Sequence, residues 1–308
     1  MLTGNGRDYK DIPHLTSGDE DFRSKFISWE LGDLTYVDVQ EYLKVKDTIM
    51  VPMASFEQHG QHLPILTDTI TAIEVSCRVS EMIGILHTPP IWTGYSPQHM
   101  HEPGKGRGTI TLRSTTLLNL VHDVARSLIH HGFNRLIFIN GHGSNVKVID
   151  PMLRKLRYDT GALIAFVKPY MENYVGILQG LMENPVEETP GWHSSELETS
   201  QDLAWKEDFV RMERANFTKA HIPEFLPKTF AKKDGMPDVE FDGYKYFTFP
   251  MDHHEFIESG VIGNPMRATK EKGEEAFRRL SEHTARGILE LMKVPVSVHT
   301  REFIDRAF

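Results

Sequence analysis

The chain has 308 residues, 40% of them apolar and 25% charged, with a formal net charge of -9 and one cysteine. This composition suits a globular domain that buries a sizeable core, and the negative charge argues against a phosphate backbone or an anionic membrane as the main partner. A lone Cys77 forms no intrachain disulfide, so a reducing, cytoplasmic setting is expected, and no apolar stretch approaches the ~20 residues needed to span a bilayer.

Residues 1–24 are polar and read as a loose arm, followed by a single domain over 25–308 with loop insertions. "TIMVPMAS" (48–55) reads as a buried strand. "TDTITAIEVSCRVSEMIG" has a helical apolar face, Thr67 or Asp68 as cap and Gly84 as stop. "ILHTPPIW" (85–92) reads as a second strand, and "TGYSPQHMHEPGKGRG" (93–108) as a long loop. "TITL" predicts a short strand before a helix that ends at Gly132. "RLIFIN" (135–140) and "ALIAFVKPY" (162–170) read as strands around a helix beginning at "VKVID". Residues 188–206 read as a loop and then a helix, 207–255 as irregular, partly aromatic excursions, and 258–293 as a glycine-rich turn and a long amphipathic helix. Strands alternating with helices predict a largely parallel sheet covered on both faces, with ligands bound beyond the carboxyl ends of its strands.

Two ligand-rich loops fall at those ends. In "SFEQHGQHLPILTD" the candidates are Glu57, His59 and Asp68, hard-to-borderline ligands suited to Zn, Mn or Fe. An aspartate has two oxygens and is able to bridge two ions. In "FINGHGSN" His142 directly follows a buried strand, between glycines that permit close backbone approach. A third group, His193, Glu196 and Glu198 in "GWHSSELETS", lies at a helix entry whose "SELE" also fits a capping box.

Together, "MVPMASFEQHGQHLPILTDTITA", "LIFINGHGSN", "HSSELETS" and "SGVIGNP", in this order, resemble the creatininase family over most of residues 28–292. The resemblance implies a three-layer α/β sandwich with a mostly parallel central sheet, two divalent metal ions per chain (Zn, Mn or Fe), and a homo-oligomer, commonly a hexamer. It also implies hydrolysis of a small-molecule substrate through metal-activated water. Carried over by position, Glu57, His59, Asp68 and His142 match metal ligands with Asp68 as the bridge, and His193 matches the active-site histidine.

The departures shape the expected substrate. Creatininase itself has a tyrosine and then a metal-binding glutamate after the histidine of N-G-H, where this chain has Gly143 and Ser144. Glu196, three residues after His193, is expected to replace the missing ligand. Glu198 is the second candidate and is placed with His193 in the catalytic set. His101, Lys105, Arg107, Gly143, Ser144 and Trp192 are candidates for substrate contact. The basic loop and the missing creatininase residues favour a cyclitol- or carbohydrate-derived carbonyl compound over creatinine. The alternatives are C–N cleavage of a cyclic amide or formamide and, in another class, a non-catalytic homologue that keeps the fold. The intact ligand set weighs against the last. No P-loop or dinucleotide glycine pattern follows a first strand.

Overall fold

A computed structural model describes residues 9, 11–169, 176–183 and 193–303. Two short helices, α1 (Glu20–Arg23) and α2 (Tyr36–Leu43), precede β1 (Thr48–Met53). The alternating region continues through α3 (Thr67–Ile83), β2 (Leu86–His87), α4 (Ser114–His131), β3 (Arg135–Asn140), α5 (Val146–Thr160) and β4 (Leu163–Val167). Beyond it lie α6 (Glu196–Lys206), β5 (Phe230–Ala231), β6 (Asp238–Phe241), β7 (Tyr244–Thr248), α7 (His253–Phe256) and α8 (Lys270–Met292).

The first four strands form one parallel sheet in the order β2-β1-β3-β4. Successive side chains of a strand point to opposite faces. Met50, Ile137 and Ile139 accordingly pack with buried residues of α3, α6 and α8. Ile49, Val51, Met53, Leu136 and Phe138 pack with those of α4 and α5 on the other face. This is the expected α/β sandwich, with both faces covered. Each fully buried Ile or Phe contributes roughly 1.5–3 kcal/mol, so β1 and β3 anchor the sheet.

The structure corrects four local expectations. The strand read over 85–92 is cut to Leu86–His87, because Pro89 and Pro90 offer no N–H to a ladder; pairing resumes only as a bridge between Ile91 and Met53. "TITL" likewise contributes a single bridge, Ile110 to Phe56. Residues 11–24 of the arm are docked rather than loose: Arg23 donates to Glu81 O at 2.7 Å and Met82 O at 3.2 Å, and Leu15 N donates to Met82 O. Finally, the region read as irregular holds a second, antiparallel sheet in the order β5-β6-β7. Its hairpin turns at Asp242 and Gly243, both with positive φ, as a two-residue type I′ turn demands. The rings of Phe230, Phe241 and Phe247 pack together across it.

Candidate active site

The parallel sheet brings both loops to one edge. Glu57 and His59 follow the carboxyl end of β1, and His142 follows that of β3. Asp68 sits in the first turn of α3, which starts after Leu66, so neither Thr67 nor Asp68 is the cap; the Asp68 side chain is turned into the site. Close approach here depends on Gly141, because a Cβ at that position would lie 2.1 Å from the backbone oxygen of Asp68.

Asp68 divides its two oxygens. Oδ1 lies 3.1 Å from His59 Nε2, and Oδ2 lies 2.8 Å from His142 Nδ1 and accepts from Ser55 Oγ at 2.6 Å. Two ligand groups result, each with its donor atoms within 4.8 Å of one another: Glu57, Asp68 and His142, and His59, Asp68 and Glu198. His59 Nδ1 faces the Glu57 carbonyl at 3.1 Å, and His142 Nε2 faces the Tyr95 carbonyl at 3.0 Å. Each ring therefore turns its other nitrogen to the cluster, the arrangement a metal-ligating histidine needs. Two buried atoms here, Glu57 Oε2 and His59 Nε2, have no hydrogen-bond partner. Orphaned buried polar atoms are costly, and a cation in each group would satisfy one of them, so the donor set fits divalent metal.

The charges are tightly linked. Burial pushes the Asp68 carboxyl up, but His59 and His142 outweigh it and hold it far below the usual range. Burial pushes His142 down, and Glu57 and Asp68 reverse this and lift it to about 9. His59 is raised in the same way against burial, chiefly by Asp68. Burial raises Glu198, only partly offset by His59 and His193.

The third motif divides differently from expectation. Glu198 Oε2 lies 3.7 Å from His59 Nε2 and accepts from Ser194 N at 2.6 Å. Glu196 points elsewhere: it is buried, pairs with Lys272 Nζ at 2.7 Å and accepts from Glu183 N. The geometry thus brings Glu198, and not Glu196, into a group with His59 and Asp68 that could hold a metal ion. His193 Nδ1 meets the Gly260 carbonyl at 2.6 Å, which turns Nε2 toward Glu57 Oε1, 3.4 Å away. The ring stacks on His59 at 4.3 Å.

A cavity of about 710 Å³ opens over the cluster. Gly143 and Ser144 line it, with Lys147 at the start of α5, Lys168 just past β4, and residues 248–253. His101, Lys105 and Arg107 are not among its lining residues. His101 stacks on His254, Lys105 lies exposed beside Glu102, and Arg107 donates to the Glu258 carbonyl. Trp192 lies outside the described residues. Two further buried histidines, His99 and His253, reach the site, and their ligand atoms cluster with that of His193. Local spacing does not link them, since His99 lies in the segment 93–108 and His253 opens α7.

Buried carboxylates and imidazoles at the carboxyl edge of a parallel sheet, with two orphaned ligand atoms among them, define a metal-dependent hydrolase. The chain belongs to the creatininase family: the family model for creatinine amidohydrolase matches residues 32–288. A creatinine amidohydrolase of Pseudomonas putida is 30% identical over 257 residues, covering 79% of this chain and 90% of that one. A 3-dehydro-scyllo-inosose hydrolase of Thermotoga maritima is 27% identical over 270 residues, covering 84% and 82%. A solved Zn–Zn-type mutant creatininase superposes with a TM-score of 0.67 at 29% identity, over 87% of this chain and 100% of that one. Among the described residues no helix is long and apolar enough to cross a membrane.

Proposed function

We propose that the protein is a dinuclear metal hydrolase acting on a small cyclic, cyclitol-derived carbonyl compound. The observation that carries the dinuclear reading is Asp68, with one oxygen in each ligand group. Glu57, Asp68 and His142 would hold one ion, and His59, Asp68 and Glu198 the other, as zinc or manganese, or iron. Such ions polarise a carbonyl and activate water near neutral pH. The chain's own residues do the rest. Ser55 and Ser194 N orient the carboxylates of Asp68 and Glu198. His193, fixed at Nδ1 by Gly260, presents Nε2 to the cluster and is placed to carry a proton to the leaving atom.

The substrate reading rests on the cavity. Its volume, Gln98, Ser144 and the ammonium groups of Lys147 and Lys168 suit an oxygen-rich or anionic compound. Gly143 and Ser144 stand where creatininase carries a tyrosine and a glutamate, and the inosose hydrolase supports a ring-opening of this kind. The 30% identical creatinine amidohydrolase favours the second reading, cleavage of a C–N bond. The proposal includes a homo-oligomer, hexameric by the family resemblance, in a cytoplasmic setting in keeping with the single buried Cys77.

Elemental analysis of the purified protein and a side-by-side assay of creatinine, formamides and oxidised cyclitols test both parts. Two ions per chain, both lost in Asp68→Ala, are expected; full metal retention in that variant overturns the bridge. Creatinine turned over fastest, at ~10 per second or more, overturns the substrate reading.

A further inference from the structure

Beside the ligand cluster lie three buried imidazoles, His99, His193 and His253, with ligand atoms within 4.8 Å of one another. His99 stacks on His193 at 4.9 Å, and His253 meets the two rings edge-on at 4.3 and 4.6 Å. Two chemistries suit such a group: a further metal ion, or a fixed set of N–H donors.

The Gln58 amide decides between them. Its Oε1 accepts from Gly60 N at 3.1 Å, so its NH2 faces the rings. Nε2 lies 3.2 Å from His99 Nδ1 and 3.4 Å from His253 Nδ1. Turning the amide round would set its NH2 against the Gly60 N–H. Gly260, at φ +77, closes on the same oxygen so tightly that a Cβ there would lie 2.1 Å from it. An amide NH2 has two hydrogens and serves two acceptors. Both Nδ1 atoms therefore carry lone pairs, and the ring protons reside on Nε2. A histidine that ligates a metal through Nε2 needs the opposite arrangement, with its proton on Nδ1.

We infer that Gln58 locks His99 and His253 as Nε2–H tautomers, and that His253 is a fixed hydrogen-bond donor for a substrate oxygen rather than a ligand of a further ion. The second part rests on the hydrolase reading above. His99 Nε2 lies 3.2 Å from Glu57 Oε1, so an Nε2 proton faces that carboxylate oxygen and Oε2 is left for the cluster. His253 lines the main cavity, and with Nδ1 taken up by Gln58 its Nε2–H is the polar group it has left to offer there. A neutral imidazole held in this way stabilises charge that develops on a carbonyl oxygen, without reorganising at the moment of reaction.

Nitrogen-15 spectra of the histidine side chains in the zinc-loaded, full-length protein test the tautomers directly. Both rings should carry their proton on Nε2. A proton on Nδ1 of either ring, or a third zinc equivalent bound per chain, overturns the inference. Gln58→Glu offers only acceptors and should move both protons to Nδ1; unchanged tautomers would remove Gln58 as the positioning residue. In the substrate panel, His253→Leu should lower kcat on the order of 100-fold. His253→Gln keeps an N–H donor and should stay within about tenfold of the parent. Equal turnover by His253→Leu and the parent overturns the donor role. If the parent turns over no compound in the panel, the hydrolase reading falls, while the spectra still decide the tautomers.

Discussion

Glu196 Oε1 lies 2.7 Å from Lys272 Nζ, an ion pair between the first turn of α6 and the first turn of α8. It holds Glu196 away from the ligand cluster, and Glu198, two residues on, faces His59 instead. The pair is buried on the glutamate side, where Glu196 also accepts from Glu183 N.

The two glutamates should therefore fail differently. Glu198→Gln is expected to weaken one metal position while the fold survives. Glu196→Gln should leave both positions filled and cost on the order of 1–3 kcal/mol of stability, because Lys272 and the Glu183 amide lose a charged partner. Metal content and urea unfolding of the two variants separate these outcomes. Metal loss in Glu196→Gln with normal stability would reverse the assignment.

Metal uptake should release protons. In the metal-free protein, against the pull of burial, Glu57 and Asp68 lift His142 to about 9, so it is protonated at pH 7, and Asp68 shifts His59 in the same direction. An ion must displace that proton, and apparent affinity should rise with pH until about 9. Calorimetry in two buffers of different ionisation enthalpy should show net proton release on metal binding. The sign for stability follows from the same shift. The His142 contribution in the metal-free protein is fully present below about 6.5 and is lost as pH rises through about 9. The lowered Asp68 contributes above its ordinary value, about 3.9, and is lost as the pH falls further.

Gly141→Ala should disturb the site without touching a ligand. The added Cβ would meet the Asp68 carbonyl at 2.1 Å and the Ala54 side chain at 3.3 Å. Separating β3's end from α3 should cost about 1–3 kcal/mol and weaken metal binding at the Asp68–His142 position. Gly143→Ala is the control, since its Cβ would meet nothing within 4 Å.

Substrate affinity should follow the cavity lysines and not the basic loop. Lys105→Ala should leave KM unchanged, because Lys105 is exposed and its partner is Glu102. Lys147→Ala should raise KM about tenfold or more if a charge-assisted hydrogen bond to substrate is lost. The ammonium lines the cavity, and burial pulls its pKa below the ordinary lysine value, only partly offset by Asp238 and Glu57. KM measured for the two variants on one substrate settles the order.

The chain order of apolar runs and helical faces was enough to place β1, β3, β4 and the helices between them, because a strand buried on both faces must be apolar throughout. The same order put Glu57, His59, Asp68 and His142 at one sheet edge, since parallel strands end on one side. The hairpin at Asp242–Gly243 was also legible, as an Asp-Gly pair between β-prone runs, although aromatic content alone disguised it as irregular. Three matters belonged to tertiary structure. Glu196 and Glu198 are two residues apart on a helix, about 200° around its axis, so only the packing of α6 against α8 could decide which one faces the metal position. The basic side chains over the cavity are Lys147 and Lys168 because the long loop turns Arg107 to Glu258 and leaves Lys105 in solvent. His99 and His253 come from segments far apart in the chain, and they meet where their rings touch and Gln58 bonds to both; no local spacing encodes a contact that exists solely where separate segments converge.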